Sequence, residues 1–120
     1  MIDKKELKKQ YKETLPKMGI YQIRNLVNGK IFVGRSKEIM GKFNSAKFQL
    51  KGGLHMNKEL QNDFNLLGED KFAFEVVDYL DPKEEPGYDY TTGLKILEDM
   101  WLDKLQPYDE KGYNLRKIKH

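Results

Sequence analysis

The sequence predicts an α+β domain: a small three-stranded antiparallel sheet flanked by helices, with an added N-terminal helix. Three observations carry this reading. Gly19 to Ser36 holds two runs of strand formers around Asn28-Gly29, the strongest short signal for a hairpin. Ile39, Phe43, Ala46 and Leu50, then Leu60, Phe64 and Leu67, recur at helical spacing. Lys71 to Leu80 alternates in the manner of a strand, and a two-stranded ribbon alone is marginal, so this third strand is expected to join the hairpin.

A two-residue type I′ turn at Asn28-Gly29 would pair Ile23 with Gly34 and Tyr21 with Ser36. One face then carries Tyr21, Ile23, Asn25, Phe32, Gly34 and Ser36. Gly34 would leave a gap between the rings of Tyr21 and Phe32, a possible pocket floor, although the same face read plainly is the core side of the sheet.

The remaining elements follow in order. Asp3 to Thr14 has helix-forming composition, with Leu7 and Tyr11 on one face and lysines over the rest, and Pro16 ends it. This helix could pack on the domain, project toward nucleic acid or form a loosely held arm, and packing is the expectation. Ser36 is a candidate cap for the next helix, and Gly41 inside it asks for a reason such as close packing or a late start. Lys51 to His55 reads as a loop, Asn57 as the cap of the following helix and Gly68 as its terminal glycine. Asp81 to Tyr90 is an exposed acidic excursion. From Thr92, taken as cap, a last helix buries Leu94, Leu97, Trp101 and Leu105. Glu98 falls on that stripe, so its carboxylate is aimed at the core and needs a cation, a metal or several donors. Gln106 to His120 is read as largely loop with a basic end.

The chain divides into a basic helix (1–17), a core (19–114) and a basic tail (115–120) of one domain. With no cysteine and two histidines, disulfides, Cys-based zinc, a thiol nucleophile and an all-His zinc site are excluded or disfavoured. A carboxylate-held magnesium ion is not. No apolar run approaches the roughly 20 residues of a membrane span, and the lysine-rich start lacks a signal-peptide core; the expected location is cytoplasmic. The net charge of +3 is unevenly spread. Residues 22–58 hold eight Lys/Arg against Glu38 alone, and residues 59–111 hold five lysines against fifteen acids. The basic half is either a phosphate-binding surface or one of two solvated faces that neutralise each other.

Gly19-Ile20-Tyr21, then Phe32-Val33-Gly34, then Leu60 through Phe74, Glu98 three before Trp101, and Gly112-Tyr113-Asn114 together resemble the GIY-YIG nuclease superfamily, in the family's order. No single match is specific; five in order are. The resemblance implies hydrolysis of a nucleic-acid phosphodiester, usually DNA, with one divalent ion, Mg²⁺ or Mn²⁺. It implies that Tyr21 helps deprotonate the attacking water and that Glu98 holds the metal; the plainer reading of Glu98 is a buried ion pair with Lys42 or Arg35. A tyrosine with its ordinary pKa near ~10 would need a neighbouring cation to act as a base at neutral pH, and Arg35 or Lys42 are the candidates. Arg35, Lys42, Lys47 and Asn114 are the expected substrate contacts, with Lys42 and His55 counted among the catalytic set; Asn114 has a structural alternative, pinning the closing turn.

Three positions depart from the family pattern. Phe32 stands where the second-motif tyrosine belongs and has no hydroxyl. Lys42 replaces a helix arginine, keeping charge but not a bidentate grip. Ala46 stands where many members carry a histidine. Reduced activity is one expectation, and a non-catalytic nucleic-acid-binding domain that retains the fold is the alternative. A third reading, an interaction module using the acidic half from Glu59 to Glu110, predicts no salt-dependent DNA binding. Oligomeric state is left open.

Overall fold

The computed structural model describes residues 3–116; the rest of the basic tail, His120 included, lies outside the described residues. The elements run α1 (Lys4–Thr14), β1 (Met18–Asn25), β2 (Ile31–Ser36), α2 (Ile39–Lys51), α3 (Lys58–Leu67), β3 (Phe72–Leu80) and α4 (Thr91–Leu105). Two single 3₁₀ turns, Glu69–Lys71 and Asp109–Lys111, complete them. The strands form one antiparallel sheet in the order β2-β1-β3, so the third strand joins the hairpin on the β1 side.

The hairpin departs from the expected register. Tyr21 pairs with Gly34 and Ile23 with Phe32, a slip of two residues from the pairing of a two-residue turn. The cause is Asn25, whose Oδ1 accepts from the amides of Val27 (2.8 Å) and Asn28 (3.3 Å), opening the turn early in an Asx arrangement. Asn25 N–H donates to the carbonyl of Lys30 and Gly29 N–H to that of Asn25. Only Gly29, at φ 80°, has the positive φ that a type I′ turn requires of both central residues. Because the slip is even, every side chain stays on the face the sequence predicted.

One face of the sheet holds the core. Tyr21 and Ile23 pack with Ile39, Phe43, Ala46 and Leu50 of α2 and with Leu60 and Phe64 of α3, as the helical spacings predicted. Asn57 caps α3 by accepting from Leu60 N–H (3.0 Å), and Gly68 ends it at φ 93°. Helix α2 starts at Ile39, with Glu38 in the cap position; Ser36 Oγ accepts from Glu38 N–H instead of capping the helix. A Cβ on Gly41 would lie 3.1 Å from the Glu38 carboxyl carbon, so this glycine makes room for the Glu38 side chain.

Helix α4 covers the opposite face. Trp101 Nε1 donates to Asp78 Oδ2 (2.9 Å), and Asp78 is the cross-strand partner of Ile20; partners share a face. The helix begins at Thr91, with Tyr90 in the cap position, two residues before the expected Thr92 cap, and Asp89 Oδ1 accepting from Thr91 N–H (2.9 Å). Of its predicted stripe only Leu94 is fully buried; Leu97, Trp101 and Leu105 are half-buried.

Helix α1 buries no residue. Its Leu7 and Tyr11 face the acidic excursion across a shallow cleft that Glu84 and Pro86 complete. The closing segment after α4 seals the outer edge of β2: Gly112 bridges Ile31, and Tyr113 N–H donates to the carbonyl of Ile31. A Cβ on Gly112 would sit 2.3 Å from the Pro107 backbone, an approach that only glycine permits. No helix among the described residues is long and apolar enough to cross a membrane.

Candidate active site

Tyr21 and Gly34, partners across β1 and β2, define the centre. A Cβ on Gly34 would fall 2.7 Å from Tyr21 Oη and 2.8 Å from Cζ, so the phenol lies directly over the glycine. The gap expected as a pocket floor is filled by Tyr21 itself. Its ring also meets Phe32 (6.4 Å) and, edge-on, Phe43 (6.0 Å), and only 3% of the residue is exposed. Burial, and secondarily the negative charge of Glu98, push the Tyr21 pKa up to about 12. The neighbour that acts on the hydroxyl is therefore an anion, not the cation the sequence reading looked for, and the group is a neutral phenol at pH 7.

Glu98 meets the requirement set by its place on α4. Arg35 Nη1 donates to its Oε1 at 2.6 Å, with the Glu98 side chain 13% exposed and that of Arg35 41%. Arg35, expected to grip phosphate, is thus engaged by Glu98. Oε2 of Glu98 has no protein hydrogen bond among the described residues, and it is not sealed in, since no buried polar side-chain atom there lacks a partner.

Phe32, Lys42 and His55 form a second group beside the first. The His55 ring stands edge-on to Phe32 at 5.4 Å. Its Nδ1 accepts from Asn57 N–H (3.0 Å), which puts the proton of the neutral ring on Nε2, and its own N–H donates to Gln61 Oε1. Burial, then the charge of Lys42, lower the His55 pKa. Lys42 is exposed. Lys47 lies with its Nζ 4.9 Å from the Phe74 ring centre.

Asn114 is tied into the fold by both ends of its amide. Its Oδ1 accepts from Val33 N–H and its Nδ2 donates to Val33 O, both at 2.8 Å, so its side chain acts as a further rung on the edge of β2. These contacts match the structural alternative, the pinning of the closing turn. Ala46 is a buried core residue.

Sequence reasoning missed the polar network beneath the hairpin. Tyr113 Oη accepts from Asn25 Nδ2 (2.9 Å) and donates to Asp63 (2.7 Å), and Asn57 Nδ2 donates to the Tyr113 carbonyl. The only available signal was a polar residue, Asn25, on the apolar face of a strand.

The donor set suits one kind of ion. No group of three His, Cys, Asp or Glu that could hold a metal exists among the described residues, so a closed protein cage does not fit. A hard cation that keeps several waters and takes one carboxylate does, and Glu98 Oε2 offers that oxygen.

A family model described as the GIY-YIG catalytic domain matches residues 17–114. The chain therefore belongs to the GIY-YIG nuclease family. Among its relatives, intron-associated endonuclease 1 of Enterobacteria phage T4 is 38% identical over 52 residues, 43% of this chain and 21% of that protein. The chain spans about a fifth of that relative's length. The solved catalytic domain of the homing endonuclease I-TevI superposes with a TM-score of 0.68 at 29% identity, over 84% of this chain and all of that one. A mutant of the catalytic domain of intron endonuclease I-TevI gives 0.69 at 26% identity, over 86% and 97%.

Proposed function

We propose that the domain hydrolyses a phosphodiester bond in DNA, with a divalent ion, Mg²⁺ or Mn²⁺, held at Glu98. The observation that carries this reading is Glu98, in α4, largely buried and fixed by Arg35 at 2.6 Å, with its charge felt by Tyr21, in β1, which packs over Gly34. A bound ion would polarise the phosphate and stabilise the leaving oxygen. Tyr21, a neutral phenol, accepts a hydrogen bond from the attacking water and holds it in line. Arg35 fixes the Glu98 carboxylate through Oε1 and leaves Oε2 to the ion. Lys42 supplies positive charge to a phosphate from the flank. Because it does so as a point charge without the fork of an arginine, cleavage is expected to be slow for the family.

The runner-up, a binder that does not cut, is favoured by Phe32 and Ala46, neither of which can move a proton, and by Lys42, which lacks the fork of an arginine. The test is nicking of supercoiled plasmid and cleavage of branched and single-stranded oligonucleotides in Mg²⁺ or Mn²⁺, comparing wild type with Tyr21→Phe and Glu98→Gln. The expected result is metal-dependent nicking in the wild type that falls at least ~100-fold in both variants, the order of effect of a positioned catalytic group. Salt-sensitive DNA binding by all three proteins without cleavage by any of them establishes the binder.

A further inference from the structure

The loop between α2 and α3 alternates in an unusual way. Leu54 is 70% exposed and Met56 83%, while His55 between them is 6% exposed. Phe48, one turn back on α2, is 75% exposed. The point where a Gly52 Cβ would sit lies 3.4 Å from the Phe48 carbonyl oxygen and 3.6 Å from Leu54 Cδ1, so the loop folds back against the end of α2.

This end is held rigidly. Leu54 N–H donates to Gln49 O at 2.7 Å, Gln61 ties His55 N–H to the carbonyl of Leu50, and the imidazole takes the Asn57 amide. A loop pinned by its central residue, with a large apolar side chain outward on each side, spends folding energy to keep hydrophobic surface in water. Where such side chains adjoin, the surface they make is of the kind that binds a partner. Its surroundings select the partner: Lys47, Lys51 and Lys58 flank it in sequence, and the acid nearest Lys51, Glu69, holds it only through an exposed 3.2 Å pair, which a phosphate can displace.

We propose that Phe48, Leu54 and Met56 form a wedge that enters duplex DNA at a base step beside the cleavage site, while the flanking lysines take the phosphates on either side. Apolar wedges rimmed by basic residues unstack and kink DNA in this way. The wedge is linked to the active site by ring contacts, His55 to Phe32 at 5.4 Å and Phe32 to Tyr21 at 6.4 Å. The inference rests on the proposed DNA reading and adds a distortion to it.

The experiment uses the full chain in EDTA with duplexes carrying 2-aminopurine at successive positions, measuring affinity against salt together with fluorescence. The wild type is expected to brighten 2-aminopurine at one or two adjacent positions. The triple variant Phe48→Ser, Leu54→Ser, Met56→Ser, whose changes are all at exposed sites and whose fold is checked by its melting temperature, is expected to bind at least ten-fold more weakly. It should lose the brightening and keep the same slope of log affinity against log salt, because every lysine remains. Equal affinity in the two proteins with no brightening at any position overturns the wedge and leaves the DNA reading standing. Self-association of the wild type without DNA, abolished in the triple variant, also overturns it, assigning the patch to a second copy of the chain. Absence of salt-dependent DNA binding in the wild type overturns both.

Discussion

The two faces of the sheet are built on different principles. The face against α2 and α3 is a continuous apolar cluster in which Tyr21, Ile23, Phe43, Leu60 and Phe64 bury one another. The face against α4 buries the smaller apolar set Ile20, Val33 and Leu94 and adds directed polar contacts: Arg35 to Glu98, Trp101 to Asp78, and Arg24, with Gln22, to Glu75. The first face supplies packing and the second supplies charge at fixed positions, and Tyr21, packed over Gly34 on the first, feels the charge of Glu98 on the second. A site at such a seam inherits rigidity from the packed side without having to bury its charged members there.

The largest effect should come from the packed face. Leu60→Ala removes a fully buried side chain and should lower unfolding free energy by about 2–5 kcal/mol in urea titration. The same titration on Glu98→Gln should show a smaller loss, so a ranking in the other order would break the comparison. Next is Asn114→Ala, which strips both partners from the Val33 main chain, a residue only 2% exposed. At about 1–3 kcal/mol for each stranded group, the loss should be about 3 kcal/mol. An unchanged melting temperature with weakened DNA binding would return Asn114 to the substrate. Gly34→Ala follows, because its methyl would meet Tyr21 Oη at 2.7 Å; displacing the phenol should cost about 1–3 kcal/mol and lower nicking. In a Tyr21→Leu background the same substitution should cost less, and an equal cost in both backgrounds would show that the ring is not what excludes the methyl.

What the sequence made legible divides along the same line. Apolar periodicity placed Ile39, Phe43, Ala46 and Leu50, the α3 stripe and the third strand, because burial depends on spacing alone. The position of Glu98 on the α4 stripe announced that it needed a partner, and Arg35 is that partner. Spacing could not reveal that Asn25 would open the hairpin early, since that depends on a side-chain bond to Val27 and a Tyr113 hydroxyl 88 residues away. Nor could it show that Tyr21 fills the space above Gly34, because the two-residue slip put them opposite each other. The order of motifs pointed to Tyr21 and Glu98 as a pair, but which ion pair holds the carboxylate, and which Asn holds the edge of β2, are facts of three-dimensional contact.

The smallest expected effects distinguish the faces by pH. His55, at the packed face, has its pKa lowered by burial and by Lys42. A base whose folded pKa lies below its unfolded value binds more protons when unfolded, so stability is full above about pH 6.5 and falls as pH drops below that value. Glu75, opposite Gln22 and on the α4 side, has its pKa lowered chiefly by the hydrogen bonds from Arg24. Its contribution is present above the ordinary carboxylate pKa of about 4.3 and is lost as pH falls through the folded value. Urea midpoints between pH 8 and 3 should therefore decline in two stages. His55→Asn, which keeps an acceptor for the Asn57 amide, should flatten the first stage alone, and Glu75→Gln should flatten only the second, by less, because the Arg24 pair is solvent-exposed. If either variant flattened both stages, the two faces would be titrating as one unit, and the division between a packed side and a charged side would fail.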